Sequence, residues 1–173
     1  MDELKALIRT VPDFPKKGIM FKDITPLLQH PEGLRQVMKY FKVRYKGRKI
    51  NKVAGIESRG FIFGAALAHM LGVGFIPIRK PNKLPAEKER VEYALEYGTD
   101  ALEIHRDAIL LGEKVLVVDD LIATAGTLIA TIDLIEKLGG EVVECATIIE
   151  LSDLHGRDKI ETRGHTLFSM LEY

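Results

Sequence analysis

An α/β fold, in which a mostly parallel sheet is flanked by helices, is what this sequence predicts, on three observations. Val115-Leu116-Val117-Val118 is an apolar run without alternation, the pattern of a strand buried on both faces. It leads through Asp119-Asp120 to the small residues Ala123-Thr124-Ala125-Gly126-Thr127 and then to an amphipathic stretch, residues 128–138. Strand-like and helix-like patterns alternate in this way through the middle of the chain, as parallel strands joined by helical crossovers require.

Taken in order, residues 2–9 read as a short helix. Residues 11–22 hold two prolines, a glycine and two aromatics, and read as an ordered loop. Thr25-Pro26 predicts a helix start, with threonine as N-cap and proline at the first helical position. Leu34, Val37, Met38 and Phe41 fall at helical spacing and predict a helix over 31–45. Residues 50–56 read as a strand. The stretch 60–78 carries no formal charge and is long enough to span a membrane. Gly72, Gly74 and Pro77 interrupt it, so it reads as a buried helix over 61–71, a turn, and a buried strand over 74–78. Gly60 and Gly64 then allow that helix to lie close on the sheet. A basic, turn-rich loop follows, Arg79-Lys80-Pro81-Asn82-Lys83-Leu84-Pro85. Residues 91–97 and 101–105 predict two antiparallel strands around Gly98-Thr99-Asp100. Beyond the helix at 128–138, Gly139-Gly140 is a stop. A strand over 142–149, a short helix over 154–159 and a strand over 166–170 complete the pattern.

The 173 residues are enough for one domain with a sizeable core. Lysine plus arginine and aspartate plus glutamate balance at 25 each, which excludes binding to nucleic acid or membrane through bulk charge. Cys145 is the sole cysteine, so no intrachain disulfide can form and a cytoplasmic setting is expected. It lies in an apolar stretch and reads as a small core residue. The first residues are too acidic and polar to read as a secretory leader. The five histidines have no metal-ligand spacing.

The chemistry gathers at predicted strand ends, where open α/β sheets bind ligands. Ala123, Thr124, Ala125, Gly126 and Thr127 form a small-residue turn at a helix N-terminus, the arrangement that binds phosphate through backbone N–H groups. Asp119 and Asp120, just before it, can hold sugar hydroxyls or a hydrated Mg²⁺. Glu57-Ser58-Arg59-Gly60 and Arg79-Lys80 stand at two further strand ends. A ligand with a phosphate and a ribose is the expectation.

The stretch Val115 to Thr127 resembles the phosphoribosyl pyrophosphate (PRPP) signature of the type I phosphoribosyltransferases. Asp13-Phe14-Pro15-Lys16-Lys17-Gly18-Ile19-Met20-Phe21-Lys22-Asp23-Ile24-Thr25-Pro26-Leu27-Leu28 is similar to the hood of members that take adenine. Ser58-Arg59-Gly60-Phe61 resembles the family's pyrophosphate loop. Arg79-Lys80 with Lys83-Leu84-Pro85 resembles the start of its mobile catalytic loop, and Leu95-Glu96-Tyr97-Gly98 that loop's end. The resemblance implies the family's fold over residues 1–173 as a single domain, with residues 1–30 contributing the hood. It implies transfer of the phosphoribosyl group from PRPP to adenine, giving AMP and pyrophosphate.

The resemblance also implies roles. Ala123 to Thr127 hold the 5′-phosphate, and Asp119 and Asp120 the ribose hydroxyls. Glu57, Ser58, Arg59, Arg79, Lys80 and Lys83 serve pyrophosphate, and the family often has a strained peptide at the position of Glu57-Ser58. Glu96 exchanges a proton with adenine. Met20 and Lys22 read the base through their backbones, with Phe21 against its ring. Mg²⁺ is held by ligand and water rather than directly by protein. A homodimer is implied, because in the family some of the basic-loop residues reach the neighbouring subunit's site. Lys88 and Arg90 read as merely solvated. One departure is Ala125, where the family has glycine: a methyl group fits there only if the residue does not need a positive φ. Two other readings stand beside this one, a PRPP-binding regulatory protein and a phosphoribosyltransferase for another base. The hood segment weighs against another base, and Glu96 with the basic loop weighs against mere binding.

Overall fold

A computed structural model describes residues 1–94 and 98–173, which form two compact units, Met1–Arg44 and Tyr45–Tyr173. In the first unit, α1 (Asp2–Lys5) ends earlier than expected, and Arg9 opens a strand instead of closing the helix. That strand, β1 (Arg9–Val11), pairs antiparallel with β2 (Phe21–Asp23), so the segment read as a loop is closed by a two-stranded ribbon. The Arg9 guanidinium holds the Asp23 carboxylate at 2.6 Å across the ribbon. Asp23 also accepts from the backbone N–H of Thr25, the first residue of the next helix, α2 (Thr25–Gln29), at 2.9 Å. Thr25 is therefore inside the helix, and the N-cap position is taken by Ile24. Bonds from Thr25 and Arg9 hold the Asp23 carboxyl down at about 2. The last helix of this unit, α3 (Pro31–Tyr45), buries Val37 and Phe41 completely, as their spacing predicts.

The second unit is built on one five-stranded parallel sheet, in the order β4-β3-β7-β8-β9. Its strands are β3 (Lys52–Ile56), β4 (Gly74–Ile78), β7 (Lys114–Ile122), β8 (Glu141–Glu150) and β9 (Leu167–Glu172). Val115 to Val118 on the central strand are fully buried, which explains an apolar run without alternation. Helix α4 (Gly60–Leu71) connects β3 to β4, and α5 (Gly126–Lys137) connects β7 to β8. The two crossovers step outward in opposite directions from the centre, so right-handed connections put their helices on opposite faces. Between β3 and β7 the strand order reverses, and a crevice opens there at the carboxyl ends.

Gly60 and Gly64 bring α4 onto the sheet as expected. A Cβ at Gly60 would lie 2.8 Å from the Val118 carbonyl oxygen, and one at Gly64 3.2 Å from Gly55 Cα. Strands β5 (Lys88–Ala94) and β6 (Thr99–His105) make a separate antiparallel pair. The first of these begins earlier than expected, so Lys88 and Arg90 lie on a strand rather than in a loop. Helix α6 (Gly156–Thr162) precedes β9. Among the described residues, no helix is long and apolar enough to cross a membrane.

Candidate active site

Strand β7 runs on through the acid pair to Ile122, so Asp119 and Asp120 belong to the sheet rather than to the turn beyond it. Both are almost fully buried. Asp119 Oδ1 accepts the backbone N–H of Asp120 at 2.9 Å. Burial, reinforced by the charge of Asp120, raises the Asp119 carboxyl well above its usual range. Asp120 is met by Arg59, whose Nε lies 2.5 Å from its Oδ2. Arg59 is the residue just before α4, and the Glu57–Ser58 peptide bond, one residue further back, is cis. Glu57, Ser58, Arg59, Asp119, Asp120, Leu121 and Thr127 together line a cleft of about 260 Å³. Two segments read as separate strand-end signals thus converge, with Thr127 of the turn, on one concavity.

The turn beyond the acids is shaped by Ala125, which the sequence singles out, and by α6, which it does not. Ala125 takes the left-handed conformation, with φ of 69°. The condition set for a methyl group there is therefore not met, and the residue does need positive φ. Its side chain is buried in the core beside Leu128, and that burial offsets the strain. The backbone N–H groups of Ala123, Thr124, Ala125, Gly126 and Thr127 donate to no acceptor among the described residues. The first N–H groups of a helix have no partner within it, so these form a cluster of unused donors. Helix α6 supports the turn from below. A Cβ at Gly156 would stand 2.3 Å from the Ala123 carbonyl oxygen, and Lys159 Nζ donates to the Thr124 carbonyl at 3.2 Å. Only a glycine permits that approach, and an unassigned glycine within a short helix is too weak a signal to have shown it.

The basic loop is tied to the cleft through Glu57. Arg79 Nε donates to Glu57 Oε2 at 3.1 Å, and the Lys80 backbone N–H donates to the same oxygen at 2.9 Å. Burial would push the Glu57 carboxyl up, but these bonds outweigh it and hold it down. Arg79 also donates to the Lys83 carbonyl at 3.3 Å, while the Lys83 side chain is exposed. None of Arg79, Lys80 and Lys83 is among the residues lining the cleft. Glu103 of β6, only 2% exposed, anchors the loop by accepting from the Asn82 N–H at 3.0 Å. It also meets Lys88 at 3.5 Å, which corrects the reading of Lys88 as merely solvated. Arg90 does face solvent, beside Glu92. An acid set between Leu102 and Ile104 was the sequence signal for Glu103.

Met20, Phe21 and Lys22 stand on and just before β2 in the first unit. Met20 is 54% exposed, Phe21 packs edge-on against Phe14 at 5.1 Å, and Lys22 Nζ donates to Thr10 Oγ1 at 3.0 Å. Glu96 and Tyr97 lie outside the described residues. Cys145 is buried in β8 as expected, and burial pushes its thiol up to about 12. No group of three or more His, Cys, Asp or Glu that could hold a metal occurs among the described residues.

This sheet, with a donor-rich turn and an acid pair at its switch point, is that of a phosphoribosyl transferase domain, and residues 23–170 match the family of that description. An adenine phosphoribosyltransferase of Desulfosudis oleivorans is 56% identical over 99% of this chain and 98% of its own. One from Methylobacillus flagellatus is 58% identical over 98% and 97%. The crystal structure of adenine phosphoribosyltransferase from Thermoanaerobacter pseudethanolicus superposes with a TM-score of 0.95 at 50% identity, covering 99% of each chain. That from Saccharomyces cerevisiae, complexed with D-2,5-dideoxy-2,5-imino-altritol 1,6-bisphosphate and adenine, gives 0.93 at 40% identity over 98% and 97%. The chain belongs to the adenine phosphoribosyltransferase family.

Proposed function

We propose that this chain transfers the 5-phosphoribosyl group of PRPP to adenine, forming AMP and pyrophosphate in purine salvage. The observation that carries the reading is the cleft: a buried acid pair beside a turn whose N–H groups have no acceptor among the described residues. Its support from outside is the full-length similarity to adenine phosphoribosyltransferases.

In this reading the turn from Ala123 to Thr127 holds the 5′-phosphate by main-chain donors and the hydroxyls of Thr124 and Thr127. Asp119 and Asp120 accept the ribose hydroxyls and favour the positive charge that grows at the anomeric carbon as the leaving group departs. Arg59, already poised at Asp120, offers a planar guanidinium to the pyrophosphate with Ser58 and Glu57 beside it. Arg79, Lys80 and Lys83 add positive charge for the same group. Met20, Phe21 and Lys22 read adenine, and a wrong base is rejected by leaving backbone groups unpaired. Glu96 carries the proton exchange with the base.

The donor set suits a hard cation shared with substrate. Glu57, Asp119 and Asp120 line the cleft, but among the described residues no three acids are grouped so as to cage a metal, so substrate oxygens and water would complete the shell of a Mg²⁺ ion. When bound, it neutralises charge on the pyrophosphate. We further propose that residues 1–30 serve as the hood of a single functional domain, that the enzyme works as a homodimer, and that it resides in the cytoplasm, in keeping with a lone cysteine.

Pyrophosphate release with PRPP, Mg²⁺ and a panel of bases tests the proposal. Turnover with adenine alone is expected. Turnover with hypoxanthine or xanthine but not adenine overturns the assignment of the base, and PRPP binding with no turnover overturns the enzyme.

A further inference from the structure

The geometry points to Asp100 as a positioning residue that, together with Tyr93, holds the Lys80 ammonium away from the pyrophosphate subsite until PRPP displaces it. The inference rests on the proposed role of Lys80 toward pyrophosphate. The root of Lys80 is fixed beside the cleft, where its backbone N–H donates to Glu57. Its side chain leads elsewhere. Lys80 Nζ forms an ion pair with Asp100 Oδ2 and donates to the Tyr93 hydroxyl at 2.9 Å. The Tyr93 hydroxyl in turn donates to the same Asp100 oxygen at 3.1 Å, closing a three-membered ring of bonds. The ammonium also lies 5.6 Å from the centre of the Tyr93 ring, within cation–π range.

Two of the three ammonium donors are thus spent on the β5–β6 hairpin. Tyr93 and Asp100 face each other in its register, so one lysine gathers both strands. The contacts act on its charge as well: burial would lower the Lys80 pKa, but Asp100 and Tyr93 outweigh it and raise it. Burial would likewise raise the Asp100 carboxyl, and Lys80 outweighs that too. The Tyr93 ring lies over the phosphate turn, since a Cβ on Gly126 would come 3.1 Å from its Cδ2. A polyanion arriving at that turn meets Lys80 a side chain's length from its holder. Pyrophosphate offers more negative charge than one carboxylate, so the exchange is favourable, yet the ion pair with Asp100 must first be broken. Asp100 and the leaving group therefore compete for one cation.

The test is a double-mutant cycle on steady-state kinetics. Asp100→Asn keeps the acceptor that the Ala101 N–H uses at 2.8 Å and removes only the charge. It is expected to lower KM for PRPP by about threefold, the worth of a partly exposed ion pair, with KM for adenine unchanged. Tyr93→Phe, which removes one bond, is expected to give a smaller fall in the same direction. Lys80→Met is expected to raise KM for PRPP, and Lys80→Met/Asp100→Asn to match Lys80→Met alone. An unchanged or raised KM for PRPP in Asp100→Asn overturns the inference, as does an Asp100→Asn effect that persists without Lys80. If Lys80→Met itself leaves KM for PRPP unaltered, the role of Lys80 toward pyrophosphate fails and the inference falls with it. A weakened Lys80→Met beside a neutral Asp100→Asn would sink the inference alone.

Discussion

A carboxylate with almost no solvent, set beside a second carboxylate, costs the fold free energy that a purely structural residue would not. Asp119 is in that position, and its pKa in the folded chain stands above that in the unfolded one. The penalty is absent below about pH 4, where both states are protonated, and grows as pH rises through the folded value. Asp119→Asn keeps an oxygen for the Asp120 N–H and removes the charge. Its stability should exceed that of the parent by about 1 kcal/mol at neutral pH, with the gain vanishing toward pH 4. Its kcat should fall by about two orders of magnitude. Paired thermal melts across pH and steady-state assays decide this, and a variant no more stable at pH 7 would remove the argument. Ala125 is balanced differently. Its left-handed conformation costs about 1–2 kcal/mol, while its buried methyl returns about 0.8 and a glycine would lose up to about 1 in backbone entropy. Ala125→Gly should therefore leave the melting temperature within about 2 °C of the parent. Ala125→Val, β-branched at positive φ, should lower it clearly.

At the level of elements, the phosphate turn owes its shape to α6 as much as to its own residues. Gly156 lets that helix reach the Ala123 carbonyl, and a methyl group there would meet a backbone oxygen that cannot swing aside. Gly156→Ala should cost about 2 kcal/mol and raise KM for PRPP more than it lowers kcat. Denaturant melts and initial rates check both parts, and an unaltered KM would show that the turn holds its form unaided. Nothing in the sequence marks this contact, because it joins residues more than thirty positions apart. What the sequence does mark is periodic or compositional. Val115 to Val118 showed a doubly buried strand, and residues 74–78 showed their strand at its observed limits. The β1–β2 ribbon escaped notice because strands of three residues carry no period to read. Thr25 was read as the N-cap because it is a good capping type, but which residue takes that position, here Ile24, depends on backbone geometry. At the site, Asp119, Asp120 and Glu57 to Arg59 were legible from their places at strand ends. Asp100, which pairs with Lys80, was not, since it acts through the pairing of strands, and Glu103 was marked only as an acid between two apolar residues.

For the molecule as a whole, ligand binding and stability are linked. PRPP with Mg²⁺ at a hundred times its dissociation constant should stabilise the chain by about 2.7 kcal/mol, a rise in Tm of about 5–10 °C. Chelating the divalent ion should remove a large part of that rise, and a shift that ignores the chelator would argue against a metal shared with substrate. The continuity of β7 through the acid pair bears on timing as well. Amide protons along its ladder, through Val117 and Val118, are shut in by β3 on one side and β8 on the other. Those a few residues on, in the turn from Ala123 to Thr127, have no such shelter. Deuterium uptake should therefore jump from hours to seconds within a handful of residues, and saturating PRPP should slow only the far side of that boundary. In the proposed reading, the carboxylates that meet the sugar sit in the sheltered ladder, and the donors that meet its phosphate sit just beyond it.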